Sequence, residues 1–148
     1  MRIIIDSREQ NPLFLKSGHD VEIRKIDEGD YAIEDSESSL VIERKSPQDL
    51  HSSLTSNHNR FIDVLLRAKL QGKRTYVFVE CSKKDFLSKN YSGGWFRKKP
   101  TGRALAKMIS TIEEKYQADF VFCDGRNDVE QKILETFSIW KKLAEIPK

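Results

Sequence analysis

The sequence predicts an α/β domain, a mixed β-sheet flanked by helices, on three observations. Four compact apolar runs, Ile3–Ile5, Leu40–Ile42, Thr75–Val79 and Asp119–Cys123, are continuous rather than alternating, as strands covered on both faces are. Three longer segments repeat their apolar residues at helical spacing instead. In the second half of the chain the two kinds of segment alternate, the order expected of a sheet with helices packed on it.

Taken in order, the first strand run is followed by Asp6, and two weaker strands, Val21–Ile26 and Asp30–Glu34, precede the Leu40 run. The polar segment Asp35-Ser36-Glu37-Ser38-Ser39 between the last two is suited to a hairpin turn. A short helix, Gln48–Leu54, is expected after Ser46-Pro47, with Ser46 capping and Pro47 in the first turn. Arg60–Gln71 aligns Phe61, Val64, Leu65 and Ala68 on one face, and Gly72 stands where that helix would stop. The strand Thr75–Val79 then runs into Glu80. Gly102–Tyr116 carries Leu105, Met108, Ile109, Ile112 and Tyr116, with Thr101 as N-cap after Pro100. Asn127–Ile146 aligns Val129, Ile133, Phe137, Trp140 and Ala144, a stripe that reads as core or dimer contact rather than a stacking platform. The one long irregular segment is Ser88–Pro100.

A length of 148 residues suits a single domain with a real core. Hydrophobic residues at 38% and charged residues at 33% indicate a soluble globular protein. The N-terminal apolar stretch is far too short for a signal peptide or membrane span, so an intracellular protein with no membrane association is expected. Cys81 and Cys123, each in or after an apolar run, read as reduced thiols. With no CxxC pair, and with His19, His51 and His58 outside zinc-site spacing, a structural zinc is not expected. The net charge of +3 is unevenly spread: residues 1–50 hold 7 basic and 12 acidic residues, residues 51–148 hold 19 and 11. An acidic half beside a basic half suits a metal site facing a polyanion.

The chemistry concentrates in Gly29-Asp30-Tyr31, Val41-Ile42-Glu43-Arg44-Lys45 and Asp49. Residues two apart on a strand share a face, so Glu43 and Lys45 point together and Arg44 points away. Glu43, with Asp30 from the neighbouring strand, can hold a hard cation, and Lys45 can orient or deprotonate a water and stabilise developing charge. That set suits metal-assisted hydrolysis of a phosphodiester. It also makes a geometric demand: Asp30 must pair opposite Glu43 or Lys45, not Arg44. Opposite Glu43, it would place Glu34 against Ser39 and leave Asp35–Ser38 as the loop. Taken singly, an E-x-K strand end is usually a solvated ion pair; the combination is what points to a site.

These residues resemble the pattern GDx(n)ERKxxxD, here Gly29-Asp30, Glu43-Arg44-Lys45 and Asp49, and Ile5-Asp6-Ser7-Arg8-Glu9 resembles the IDxRE strand end of the same family. The family is the XPF-type structure-specific endonuclease domain, Hef-like, within the PD-(D/E)xK, restriction-endonuclease-like superfamily. The resemblance covers essentially the whole chain, as one nuclease domain over residues 1–148. It implies Asp30 and Glu43 as metal ligands, Lys45 as the catalytic lysine and Asp6 assisting near the metal. Arg44 would brace the core through an ion pair, Asp49 would position it or the lysine, and Arg8 and Glu9 would support the site or contact substrate. Mg²⁺ is the implied ion, Mn²⁺ a substitute, and one or two metals stay open. The implied activity is DNA endonuclease action near single-strand/double-strand junctions, such as flaps and forks, in repair, replication or recombination.

The family commonly adds a tandem helix-hairpin-helix module, for which the chain, ending at Pro147-Lys148, has no room. Affinity for DNA would then come from the domain itself or from a protein partner; a homodimer is allowed by the resemblance and monomer stays open. Within the irregular segment, Arg97, Lys98 and Lys99 would neutralise phosphates and Trp95 or Tyr91 would stack on an unpaired base, with Arg60 as a further contact. Two rivals stand beside this reading: a catalytically silent DNA-binding or scaffold subunit, whose relatives lose the acidic and lysine positions retained here, and a nuclease acting on RNA.

Overall fold

The apolar runs of the sequence become strands of one sheet. The computed structural model describes residues 1–91 and 100–147. Its strands are β1 (Arg2–Asp6), β2 (Asp20–Arg24), β3 (Tyr31–Ile33), β4 (Leu40–Lys45), β5 (Arg74–Val79) and β6 (Ala118–Phe122). They lie in the order β2-β1-β3-β4-β5-β6. β3 runs antiparallel to both β1 and β4, and the pairs β1–β2, β4–β5 and β5–β6 are parallel. The sheet is therefore mixed, as expected. β2, expected as a weaker strand over Val21–Ile26, forms an outer edge beside β1.

The helices are α1 (Pro47–Leu54), α2 (His58–Leu70), α3 (Lys83–Ser88), α4 (Gly102–Tyr116) and α5 (Arg126–Ala144). Both expected caps form: Ser46 Oγ accepts from Asp49 N–H and Thr101 Oγ1 from Ala104 N–H, each at 3.1 Å. α3 was not foreseen. Its six residues are too few to show a helical repeat, although Ser82 caps it by accepting from Asp85 N–H at 3.1 Å. No helix among the described residues is long and apolar enough to cross a membrane.

Strand alternation splits the core into two layers. On one face Ile3, Ile5, Tyr31, Leu40, Ile42 and Phe78 pack against Val129, Ile133 and Phe137 of α5. On the other, Val77 and Val79 pack against Leu50 and Leu54 of α1, Phe61 and Leu65 of α2, and Leu105, Ile109 and Ile112 of α4. The stripe of the last helix is thus core over its first turns, with Trp140 packed at the margin. The crossover from β1 to β2 buries Leu13 and Phe14 without regular structure. Side chains take over its hydrogen bonding: Arg126 donates to the carbonyls of Asn11 (2.8 Å) and Pro12 (2.6 Å), and Leu13 N–H donates to Tyr31 Oη at 3.0 Å.

Candidate active site

Within β4 the chain passes from three buried apolar residues to three half-buried charged ones. Alternation sends Arg44, with Leu40 and Ile42, to the α5 face, and Glu43 and Lys45, with Val41, to the face covered by α1 and α2. Asp30 stands immediately before β3. The pairing Tyr31↔Ile42 sets Asp30 level with Glu43, and Ile5↔Tyr31 sets it level with Asp6. Opposed residues share a face, so Asp6, Asp30 and Glu43 form a row across β1, β3 and β4. The hairpin demand read from the sequence is met with Asp30 opposite Glu43.

Asp30 is held from both sides. Its N–H donates to Ile42 O at 2.7 Å, and its carbonyl accepts from Asp6 N–H at 2.9 Å. Its carboxylate accepts from the Arg44 N–H at 2.8 Å, satisfying a β4 donor that extends past the end of β3. The preceding residue has to be glycine. At Gly29 φ is +87°, and a Cβ there would lie 2.8 Å from Ile42 O. The glycine of the GD pair is thus what lets the chain close onto β4 and fixes where the carboxylate emerges.

The two acids face one another with little compensation. Burial, outweighing the bond from Arg44 N–H, raises the Asp30 carboxyl from its ordinary range to about 6. Glu43 keeps some contact with solvent, yet dense protein surroundings and then the charge of Asp30 raise it to about 8. The pair is arranged to share a proton. Lys45 favours the ionised forms of both, and its Nζ lies 5.1 Å from the centroid of the Phe61 ring on α2. Asp6 has a different fate. Its side chain is only 4% exposed, and its oxygens accept from Arg8 Nε (2.9 Å), Arg8 Nη2 (3.3 Å) and Ile26 N–H (2.9 Å). Burial alone would raise its carboxyl, but these bonds together hold it below the usual range. Arg8 also donates to Ile26 O at 3.0 Å, stays largely exposed, and feels the charges of Asp30 and Glu43.

On the opposite face Arg44 is held by four groups. Its guanidinium pairs with Glu80 and, at 3.5 Å, with Glu9; it also donates to Asn11 O (3.0 Å) and Tyr31 Oη (3.4 Å). Burial would lower its pKa, but Glu80 and Tyr31 more than offset this and raise it. Asp49 is exposed at the first turn of α1, where its N–H meets Ser46, and the side-chain partners of Arg44 are other groups.

The family model of the ERCC4 domain matches residues 5–136. The chain belongs to the ERCC4 domain family. Among solved structures, XPF from Aeropyrum pernix matches with a TM-score of 0.74 and 18% identity, over 95% of this chain and 65% of that one. The same archaeal protein in complex with DNA matches with a TM-score of 0.70 and 18% identity, over 99% of this chain and 68% of that one. This ERCC4 domain therefore shares their fold while spanning about two thirds of their length. No curated protein sequence matches the chain.

In this ERCC4 domain the structure brings Asp30, Glu43, Lys45, Asp6 and Arg8 to one face and leaves Arg44 and Glu9 on a network behind it. Arg60 lies exposed in the first turn of α2, next to Phe61. Trp95, Arg97, Lys98 and Lys99 lie outside the described residues; Tyr91 stacks on Phe86 with centroids 6.1 Å apart. Glu80 and the Tyr31 hydroxyl were missed as partners of Arg44. A signal for Glu80 existed, since it follows directly on the Thr75–Val79 run as Asp6 follows on the first, but nothing local ties it to a residue 36 positions away.

Proposed function

We propose that this ERCC4 domain is a divalent-metal-dependent DNA endonuclease that hydrolyses phosphodiester bonds near single-strand/double-strand junctions. The observation that carries the reading is the pair of facing carboxylates, Asp30 and Glu43, with Lys45 on the same sheet face. Family membership and the DNA complex of the archaeal structural neighbour support it.

The donor set fits a small hard cation. Among the described residues no group of three or more His, Cys, Asp or Glu side chains is arranged for a metal. Mg²⁺, however, commonly uses one or two carboxylates and completes its shell with waters and substrate phosphates. Asp30 and Glu43 would hold it, and Mn²⁺ could replace it. A bound cation would neutralise the pair and offset charge building on the phosphoryl group. Lys45, its Nζ 5.1 Å from the Phe61 ring centroid, would orient the attacking water and offset charge on a phosphate oxygen. Arg8, anchored by Asp6 and Ile26 O, presents the rest of its guanidinium to a phosphate. We assign Asp6 to holding Arg8, because its oxygens are already engaged. Arg44, by its bonds to Glu80, Glu9 and Asn11 O, fixes the strand that carries Glu43 and Lys45. Such chemistry implies an intracellular setting where DNA is repaired, replicated or recombined.

Incubation with labelled flap, fork, duplex and single-stranded DNA, with Mg²⁺ or with EDTA, tests the reading. Cleavage beside a junction only with Mg²⁺ is expected; the absence of metal-dependent cleavage on every DNA would overturn it.

A further inference from the structure

α2 and α4 lie side by side and in the same direction on the site face, with Lys69 Nζ of α2 donating to Lys115 O at the end of α4 at 2.6 Å. Between them runs an open groove of about 380 Å³. Its floor is apolar, from Ile62, Met108 and Tyr116, and Lys107, Lys115 and His58 line it as well. Among the described residues neither lysine side chain has an ion-pair partner, although eleven other pairs form across the molecule. His58 Nδ1 is buried and has no hydrogen-bond partner. His58 and Ile62, which line it, stand on α2 either side of Phe61 in sequence, and the Phe61 ring centroid lies 5.1 Å from Lys45 Nζ.

We propose that this groove is the track for the single-stranded arm of the substrate, which leaves the Lys45 face and lies between α2 and α4. The inference rests on the DNA-nuclease reading above. Unpaired cations beside an apolar floor match a strand that presents phosphates on one side and base faces on the other. Lys107 and Lys115 stand about 12 Å apart along α4, far enough to meet separate phosphates of one strand.

The test is fluorescence anisotropy of a labelled oligothymidylate of about 12 nucleotides, with EDTA present so that binding is read without cleavage. Lys107 and Lys115 are exposed, so Lys107→Ala/Lys115→Ala keeps the fold, checked by circular dichroism. The expected result is a Kd raised at least about tenfold and a salt slope of log K reduced by about 1.4, roughly 0.7 for each single-strand phosphate left without its lysine. Lys16→Ala/Lys141→Ala, which removes the same charge elsewhere, should leave the slope near wild type. A groove variant that binds with the wild-type Kd and slope overturns the track while the nuclease reading stands. So does binding of an acidic amphipathic peptide, but not the oligonucleotide, through these lysines. Loss of both binding and cleavage on every DNA by the wild-type chain removes the nuclease reading itself.

Discussion

Glu43 and Arg44 are neighbours in sequence, yet β4 delivers them to opposite surroundings. Arg44 meets two carboxylates, a hydroxyl and a carbonyl, so its charge is fully answered behind the sheet. Glu43 meets a second carboxylate, with Lys45 as the nearby offset. The first arrangement stabilises the folded chain. The second works against it at neutral pH and would become useful if a cation bound there as proposed. Local conflict of this kind is characteristic of functional sites, where charge is left unmatched in the protein to be matched by ligand.

The contrast can be broken most sharply on the catalytic side. Asp30→Asn or Lys45→Ala should lower Mg²⁺-dependent cleavage by about 10²–10⁴-fold with the circular dichroism spectrum unchanged. Full activity in either variant would move the chemistry off this face. On the other side, Arg44→Ala strands Glu80 and Glu9 with their charges partly buried and unpaired, and should cost about 3 kcal/mol in urea denaturation. An unchanged midpoint would show the network to be idle. Gly29→Ala tests the join between the two faces. The strained backbone and the contact with Ile42 O should cost about 2 kcal/mol and weaken cleavage with it. A variant that keeps both would mean that the turn relaxes freely.

The smallest effect is a pH dependence. Because Asp30 and Glu43 are raised to about 6 and about 8 in the folded state, the folded protein holds protons that the unfolded chain releases. The contribution of this pair is therefore fully present below about pH 4, the unfolded carboxyl range, and is lost as pH rises through 6 towards 8. Glu43→Gln should be the more stable protein at pH 8 without metal, by about 1 kcal/mol or ~3 °C in Tm after allowance for solvent screening. Mg²⁺ should raise the Tm of the wild type more than that of the variant. A gap between the two that stays flat from pH 5 to 8 would count against the shared proton.

Much of the fold was legible because its signals are local. The runs at Ile3, Leu40 and Thr75 need only their own composition to be strands, and Ser46-Pro47 and Pro100-Thr101 need only their own chemistry to start helices. α3 escaped because it is too short for a period and is held by one buried side chain, Phe86. The crossover with Leu13 and Phe14 escaped for a different reason. Its backbone groups are satisfied by Tyr31 and by Arg126, and no pattern within residues 7–19 reveals partners so far along the chain.

The candidate site divides in the same way. The sequence by itself determined that Glu43 and Lys45 share a face and Arg44 does not, because strand alternation is a property of the backbone. It also narrowed the partner of Asp30 to Glu43 or Lys45, and the register Tyr31↔Ile42 made it Glu43. Only the tertiary structure decided that Asp6, in the same row, is occupied by Arg8 and Ile26, that Glu80 answers Arg44, and that α2 lays Phe61 beside Lys45. Those outcomes depend on which groups are free to meet across the fold. Hydrogen-bonding capacity and charge are spent in space, between residues whose separation along the chain carries no record of their contact.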